Sequence, residues 1–231
     1  MTDPQATRLY LARHGATPLT AEDRFSGDEG VELSDEGRRQ ASLLGERLRG
    51  EGIAAVYASP LSRAMDTARL ACAACGEAGL RPMARDGLRE IRHGHWEGKS
   101  RTEVEARFGS EYAAWEADPF TFAPEGGESG VQVLARALPV IREIVTRHEG
   151  ARVLVVSHKA TIRLVLASLL GIDARGYRDR LDQAPAALNV LDFKGPVRAR
   201  LMLFNDTSHY ASRPRVPERN LSKWWDRERE A

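Results

Sequence analysis

The apolar run Leu9-Tyr10-Leu11 stops abruptly at Arg13-His14-Gly15, and no other feature constrains this chain so tightly. A short apolar segment ending this way reads as a buried strand that reaches the rim of an open α/β sheet, where ligands gather beyond the carboxyl ends of the strands. An imidazole at that rim can act as nucleophile. The adjacent guanidinium can grip an anion, and Gly15 lets the backbone approach closely. Alone, an Arg-His-Gly is no more than a strand ending in polar residues; it gains meaning from matching pieces further along the chain.

The same grammar recurs in the later segments. After the first strand, over about residues 8 to 13, Ser34-Asp35-Glu36-Gly37 offers a cap and an acidic first turn to a helix reaching about Arg49. Ile53–Ala58 reads as a second strand leading through Ser59-Pro60 into a helix from Leu61 to about Cys75. Arg152–Ser157 is the clearest strand, apolar and β-branched, and Ser157-His158-Lys159 leads on to a helix from Thr161 to Leu170, closed by Gly171. The apolar stretches at 187–193 and 199–204 flank Lys194-Gly195-Pro196 as a hairpin. Strands alternating with helices predict an α/β fold, a three-layer α/β/α sandwich with a mostly parallel sheet.

After Arg81-Pro82-Met83 the pattern changes. Residues 86 to 128 are polar yet hold Trp96, Phe108, Trp115, Phe120 and Phe122, which predicts a small helical cap inserted after the third strand. Trp96 is expected in the core of that cap. Glu128 and Ser129 then cap a long helix to His148. The 231 residues fit one domain with this insertion and a charged tail from Asp206, whose Trp224-Trp225 either dock on the body or a partner or lie in disordered chain.

Lys and Arg total 34 against 33 for Asp and Glu, so charge makes no global case for nucleic acid or an anionic membrane. No apolar stretch is long enough to span a bilayer, and Met1–Gln5 carry no signal-peptide core, so a cytoplasmic location is expected. Cys72 and Cys75 lie in an alanine-rich helical pattern with no second ligand pair, which reads as small core residues rather than a metal site or disulfide.

Four separated pieces fit one job: Arg13-His14-Gly15, Ser59–Ala64 with Arg63, Leu88-Arg89-Glu90-Ile91, and Ser157-His158. Parallel strands would bring three of them to one sheet edge, with the cap placing a carboxylate above. Two arginines, two histidines and one carboxyl suit phosphomonoester chemistry: the arginines hold nonbridging oxygens, a histidine attacks phosphorus, and the acid protonates the leaving alkoxide. No Gly-x-x-x-x-Gly-Lys loop or acidic cluster is present, so the expected site uses cationic side chains, with no metal and no cofactor. His93 and His95 flank Gly94 at the expected entrance, where surface or packing roles are the default.

At residues 8 to 204 the chain resembles the phosphoglycerate mutase-like histidine phosphatases, with the four motifs in that family's order. The resemblance implies His14 as the phosphorylated nucleophile, Glu90 as proton donor, and Arg13, Arg63 and His158 as the rest of the phosphate pocket. Arg24-Phe25-Ser26-Gly27 resembles the family's loop after the first motif, which implies substrate donors at Ser26 and Gly27. Thr20 stands where the family often has asparagine, and is a candidate phosphate contact. Lys159-Ala160-Thr161 with Arg163 replaces the family's usual small residues after the second histidine. Lys159 and, four residues on, Arg163 would favour a substrate with a second negative group.

The expected activity is thus a metal-independent phosphomonoester hydrolase working through a phosphohistidine on a small phosphorylated metabolite, in a chain that could pair as a homodimer. A 2,3-bisphosphoglycerate-dependent phosphoglycerate mutase would use the same pocket. The segment between Glu90 and His158 is shorter than in the mutases, and Gly94–Gly98 resembles the phosphatase branch. A non-catalytic module that binds phosphorylated ligands is the remaining alternative.

Overall fold

The computed structural model of the protein describes residues 6–22, 24–27 and 30–211; Trp224 and Trp225 lie outside them. The chain runs β1 (Thr7–Arg13), α1 (Pro18–Glu22), α2 (Asp35–Arg47), β2 (Ile53–Ala58), α3 (Ser62–Cys75) and β3 (Pro82–Ala84). Two single-turn 3₁₀ helices, Asp86–Leu88 and Gly94–Trp96, precede α4 (Arg101–Arg107) and α5 (Gly109–Ala117). Then come α6 (Gly130–Arg147), β4 (Arg152–Ser157), α7 (Lys159–Leu170), a 3₁₀ turn Ala174–Gly176, α8 (Tyr177–Arg180) and the hairpin β5 (Leu188–Lys194) and β6 (Arg198–Asp206).

The sheet order is β3-β2-β4-β1-β5-β6. Strands β3, β2, β4 and β1 are parallel, β5 adds antiparallel beside β1, and β6 pairs antiparallel with β5 at the edge. Both faces are covered, which is why the central strands read as unbroken apolar runs. Alternate residues face opposite layers: Leu9, Leu11, Val153 and Val155 pack with Ala137, Ile141 and Ile144 of α6 and Ile162, Val165 and Leu166 of α7. Tyr10, Ala12, Leu154 and Val156 meet Leu44 and Leu48 of α2 and Ala64, Ala68 and Ala71 of α3. Each buried Val or Leu contributes about 1.5–3 kcal/mol. The α/β/α layers expected from the sequence are present.

Local signals explain most helix ends. Ser34 caps α2 by accepting from the Gly37 amide, and Ser129 with Gln132 forms a capping box at α6. Gly171 ends α7 in the left-handed region. Helices α2 and α3 pack so closely that a Cβ on Gly45 would lie 2.4 Å from the Ala71 carbonyl oxygen. Small side chains on α3 permit this approach, and Cys72 and Cys75 are buried free thiols among them, as expected. The cap has its own core of Phe25, Trp96, Val104, Tyr112 and Trp115, with Trp96 fully buried as its pattern predicts.

Candidate active site

Strand order decides what meets at the carboxyl edge. β4 lies between β2 and β1, so His158, directly after β4, is flanked by the ends of β1, carrying Arg13 and His14, and of β2, leading to Arg63 on α3. The rings of His14 and His158 have centroids 5.1 Å apart. Arg13, His14, Arg63 and His158 are all buried.

The His14 Nδ1 lies 2.7 Å from the Gly15 carbonyl oxygen. A carbonyl only accepts, so Nδ1 carries the proton and Nε2 keeps its lone pair. Burial, then Arg63 and Arg13, push His14 well below the ordinary imidazole value. His158 is lowered likewise by burial, then by Arg63, His14 and Arg13. Both rings are therefore neutral at pH 7. Arg13 falls to about 10, chiefly through burial, and stays charged.

Polar atoms without partners mark the place for an anion. Among the described residues, both ring nitrogens of His158 and the Nε of Arg13 are buried without a hydrogen-bond partner. Buried donors of this kind cost free energy unless a ligand satisfies them. Arg13 is aimed by its Nη1, which donates to the Gln183 carbonyl at 2.6 Å. The Arg63 Nη2 donates to the Gly27 carbonyl at 2.5 Å.

Glu90 arrives from the loop between the two 3₁₀ turns and sits on the first turn of α7. Its carboxylate accepts from the amides of Ala160 and Thr161, both at 3.2 Å, and of Ile91 at 3.0 Å. The helix N-terminus is a natural seat for a carboxylate, and Glu90 occupies the Ala160 and Thr161 amides of α7. α7 starts at Lys159, two residues earlier than the pattern suggested.

Glu90, His14 and Arg13 line one cavity of about 150 Å³, together with Thr20, Ser26 and Lys159. The Thr20 hydroxyl is 2.9 Å from that of Thr17. Lys159 and Arg163 both reach the Asp182 carboxylate, at 3.2 and 2.9 Å. Burial, then Arg163 and Arg13, lower Lys159 to about 8.

Gly27 departs from expectation as a substrate donor. Its amide donates to Glu97 Oε2 at 2.6 Å while its carbonyl accepts from Arg63, so in this structure it braces the Arg63 guanidinium. Sequence reading also missed Trp115, Tyr177 and Arg178 on the cavity wall. The Arg178 guanidinium stacks 4.2 Å from the Trp115 ring centroid, and nothing local in Tyr177–Arg180 distinguishes it from a solvated charged turn. Of the two cap histidines, His93 lines the cavity and is lowered to about 4 by burial. His95 instead pairs with Glu111 at 3.1 Å and packs on Phe108.

Among the described residues, no group of three His, Cys, Asp or Glu side chains is arranged to hold a metal ion, and no helix is long and apolar enough to cross a membrane.

The family description that matches the chain is "Histidine phosphatase superfamily (branch 1)", over residues 9–207. The bifunctional protein Rv2228c of Mycobacterium tuberculosis is 38% identical over 205 residues, 88% of this chain but 55% of that protein, so the chain spans about half the length of this relative. A glucosyl-3-phosphoglycerate phosphatase of Mycolicibacterium vanbaalenii is 38% identical over 173 residues, covering 71% of this chain and 75% of its own. In three dimensions, Bacillus stearothermophilus YhfR superposes with a TM-score of 0.81 at 31% identity, over 88% of this chain and 99% of its own. Motif order, strand order and these likenesses agree: the chain belongs to the histidine phosphatase superfamily, branch 1.

Proposed function

We propose that this protein hydrolyses phosphomonoesters of small metabolites through a phosphohistidine at His14. One observation carries the reading: a neutral imidazole with a free Nε2 lines one cavity with Arg13, whose buried Nε has no partner, and packs against His158, whose ring nitrogens are likewise buried without partners. The His14 Nε2 lone pair attacks phosphorus in line as the bond to the leaving oxygen breaks. Glu90, protonated for this step, gives its proton to the departing alkoxide. Arg13, Arg63 and His158 stabilise charge on the equatorial oxygens. Water then attacks phosphorus, Glu90 takes its proton, and the P–N bond breaks to restore the His14 lone pair. Thr20 and Ser26 contact the bound ester from the cavity wall.

The substrate class is narrowed by the opposite wall. Lys159 and Arg163 share one counter-ion, Asp182, which leaves net positive charge facing the cavity. A second negative group on the substrate, such as the carboxylate of a phosphoglycerate, fits there. The relative named for a glucosylated phosphoglycerate is consistent with that chemistry. The partner is then a small phosphate ester, not nucleic acid or membrane. The free thiols Cys72 and Cys75 suit the reducing cytoplasm. A homodimer would pair along the outer edge strand β6, where Met202 and Phe204 are exposed; sedimentation equilibrium tests it.

Rapid quenching during turnover of phosphorus-labelled phenyl phosphate tests the mechanism. An acid-labile, base-stable phosphoprotein should form, and His14→Ala should not form it. Label on serine or cysteine, or full activity in His14→Ala, overturns the reading. Turnover that needs added 2,3-bisphosphoglycerate assigns a mutase instead.

A further inference from the structure

The Gly87–Glu90 loop has no ladder of its own, yet its carbonyls are held one after another. Arg136 on α6 donates from Nη1 to the oxygens of Gly87 at 3.0 Å and Arg89 at 2.8 Å, and from Nη2 to that of Glu90 at 2.9 Å. The remaining carbonyl, Leu88, accepts from the Ser157 hydroxyl at 2.8 Å, and Arg89 also accepts from Thr161 Oγ1 at 2.7 Å. The other edge of the same guanidinium is bidentate on Glu128, with Nε to Oε1 at 3.0 Å and Nη2 to Oε2 at 2.9 Å. Glu128 Oε2 in turn accepts from the Arg92 amide at 3.1 Å.

Every guanidinium N–H is thereby engaged, in a planar fork that a lysine cannot reproduce. The Glu128 side chain is 10% exposed and that of Arg136 23%, so the pair is shielded from the screening that weakens surface ion pairs. The loop is pressed onto α6 as well: a Cβ on Gly87 would lie 2.5 Å from the Arg136 carbonyl oxygen.

We propose that Arg136 and Glu128 are a positioning pair for the general acid, fixing the Gly87–Arg92 backbone so that the Glu90 carboxyl stays aimed into the phosphate pocket. Neither residue lines the cavity that holds His14; they act on the reaction through Glu90. The proposal rests on Glu90 being the acid of the phosphohistidine mechanism. It adds that the acid's aim is set from α6 through the loop backbone, in addition to the α7 amides that hold its carboxylate.

The test compares an alkyl phosphate, whose leaving group needs a proton, with para-nitrophenyl phosphate, whose leaving group does not. Arg136→Lys should lower kcat on the alkyl ester by about tenfold or more, since small misplacements of a catalytic group are costly. On the aryl ester its kcat should change little, and KM should hold for both. In a Glu90→Gln background the same substitution should cost less than about twofold, because coupled residues are not additive. Glu128→Gln, nearly isosteric, should show the same leaving-group pattern more weakly, and carries the test should Arg136→Lys fail to fold. Equal losses on both esters, or full additivity with Glu90→Gln, overturn the proposal and leave a purely structural pair. If Glu90→Gln alone loses equally on both esters, the acid assignment itself fails, and the positioning role falls with it.

Discussion

The Gly15 carbonyl oxygen lies 2.7 Å from the His14 Nδ1, and this one contact fixes Nε2 as the ring nitrogen that keeps its lone pair. Burial and two arginines keep the ring neutral. Because the pKa of His14 is depressed below its ordinary 6.5, the neutral ring that the proposed mechanism needs is available at pH 6.5 and is lost only as pH falls through the lower value. The acid limb of kcat/KM, corrected for the substrate's own titration, should therefore lie below pH 6.5. A limb at or above that pH would contradict a neutral, pre-aimed His14.

Glu90 accepts amide hydrogen bonds at both carboxylate oxygens, from Ala160 and Thr161, which aims it without committing it to an ion pair. Glu90→Gln should lower kcat on an alkyl phosphate by on the order of 10²–10⁴, the range for lost acid catalysis. With para-nitrophenyl phosphate the loss should be much smaller. Steady-state rates on the two esters check it.

Arg13, Arg63 and His158, all buried around His14, are the groups that the proposed mechanism assigns to the charge on the transferring phosphoryl group. Dialysis against EDTA should leave turnover unchanged. Activity that vanishes and returns only with Mg²⁺ or Zn²⁺ would show that these side chains do not suffice.

Lys159 is charged below about 8 and neutral above it. For a phosphoester with a second anionic group, kcat/KM should fall as pH rises through about 8. Lys159→Arg should abolish that fall, and Lys159→Ala should raise KM for the same ester while leaving para-nitrophenyl phosphate nearly untouched. Identical kinetics for Lys159→Ala and the parent would place the second group elsewhere.

A Cβ on Gly15 would lie 2.4 Å from the Gly37 carbonyl oxygen, backbone that cannot rotate aside. Gly15→Ala must push the loop away from α2 and drag His14 with it, so about 10²-fold of kcat/KM should be lost, as expected for a displacement near 1 Å. Gly45→Ala meets an equal clash at the α2–α3 contact. It should lower stability by about 1–3 kcal/mol, seen in a thermal melt, with activity per folded molecule unchanged.

The amino-acid pattern alone specified the central strands, their helices and the edge on which Arg13, His14, Arg63 and His158 meet. It did so because a strand buried on both faces must be apolar throughout, and an abrupt polar end then marks the rim. The same pattern placed Cys72 and Cys75 as small core residues of a helix and Trp96 in the cap core. Periodicity describes the faces of one element at a time, so it was silent wherever distant elements meet. Only the tertiary structure brought Gln183 to Arg13 across 170 residues, because the late strand β5 returns antiparallel beside β1 and carries the 181–187 loop to the pocket. Only it turned Gly27 from a substrate donor into a brace for Arg63, seated Glu90 on the amides of α7, and folded Trp115 and Arg178 over the cavity. Those outcomes depend on which side chain wins a shared donor or acceptor, a competition decided by distances that no single segment encodes.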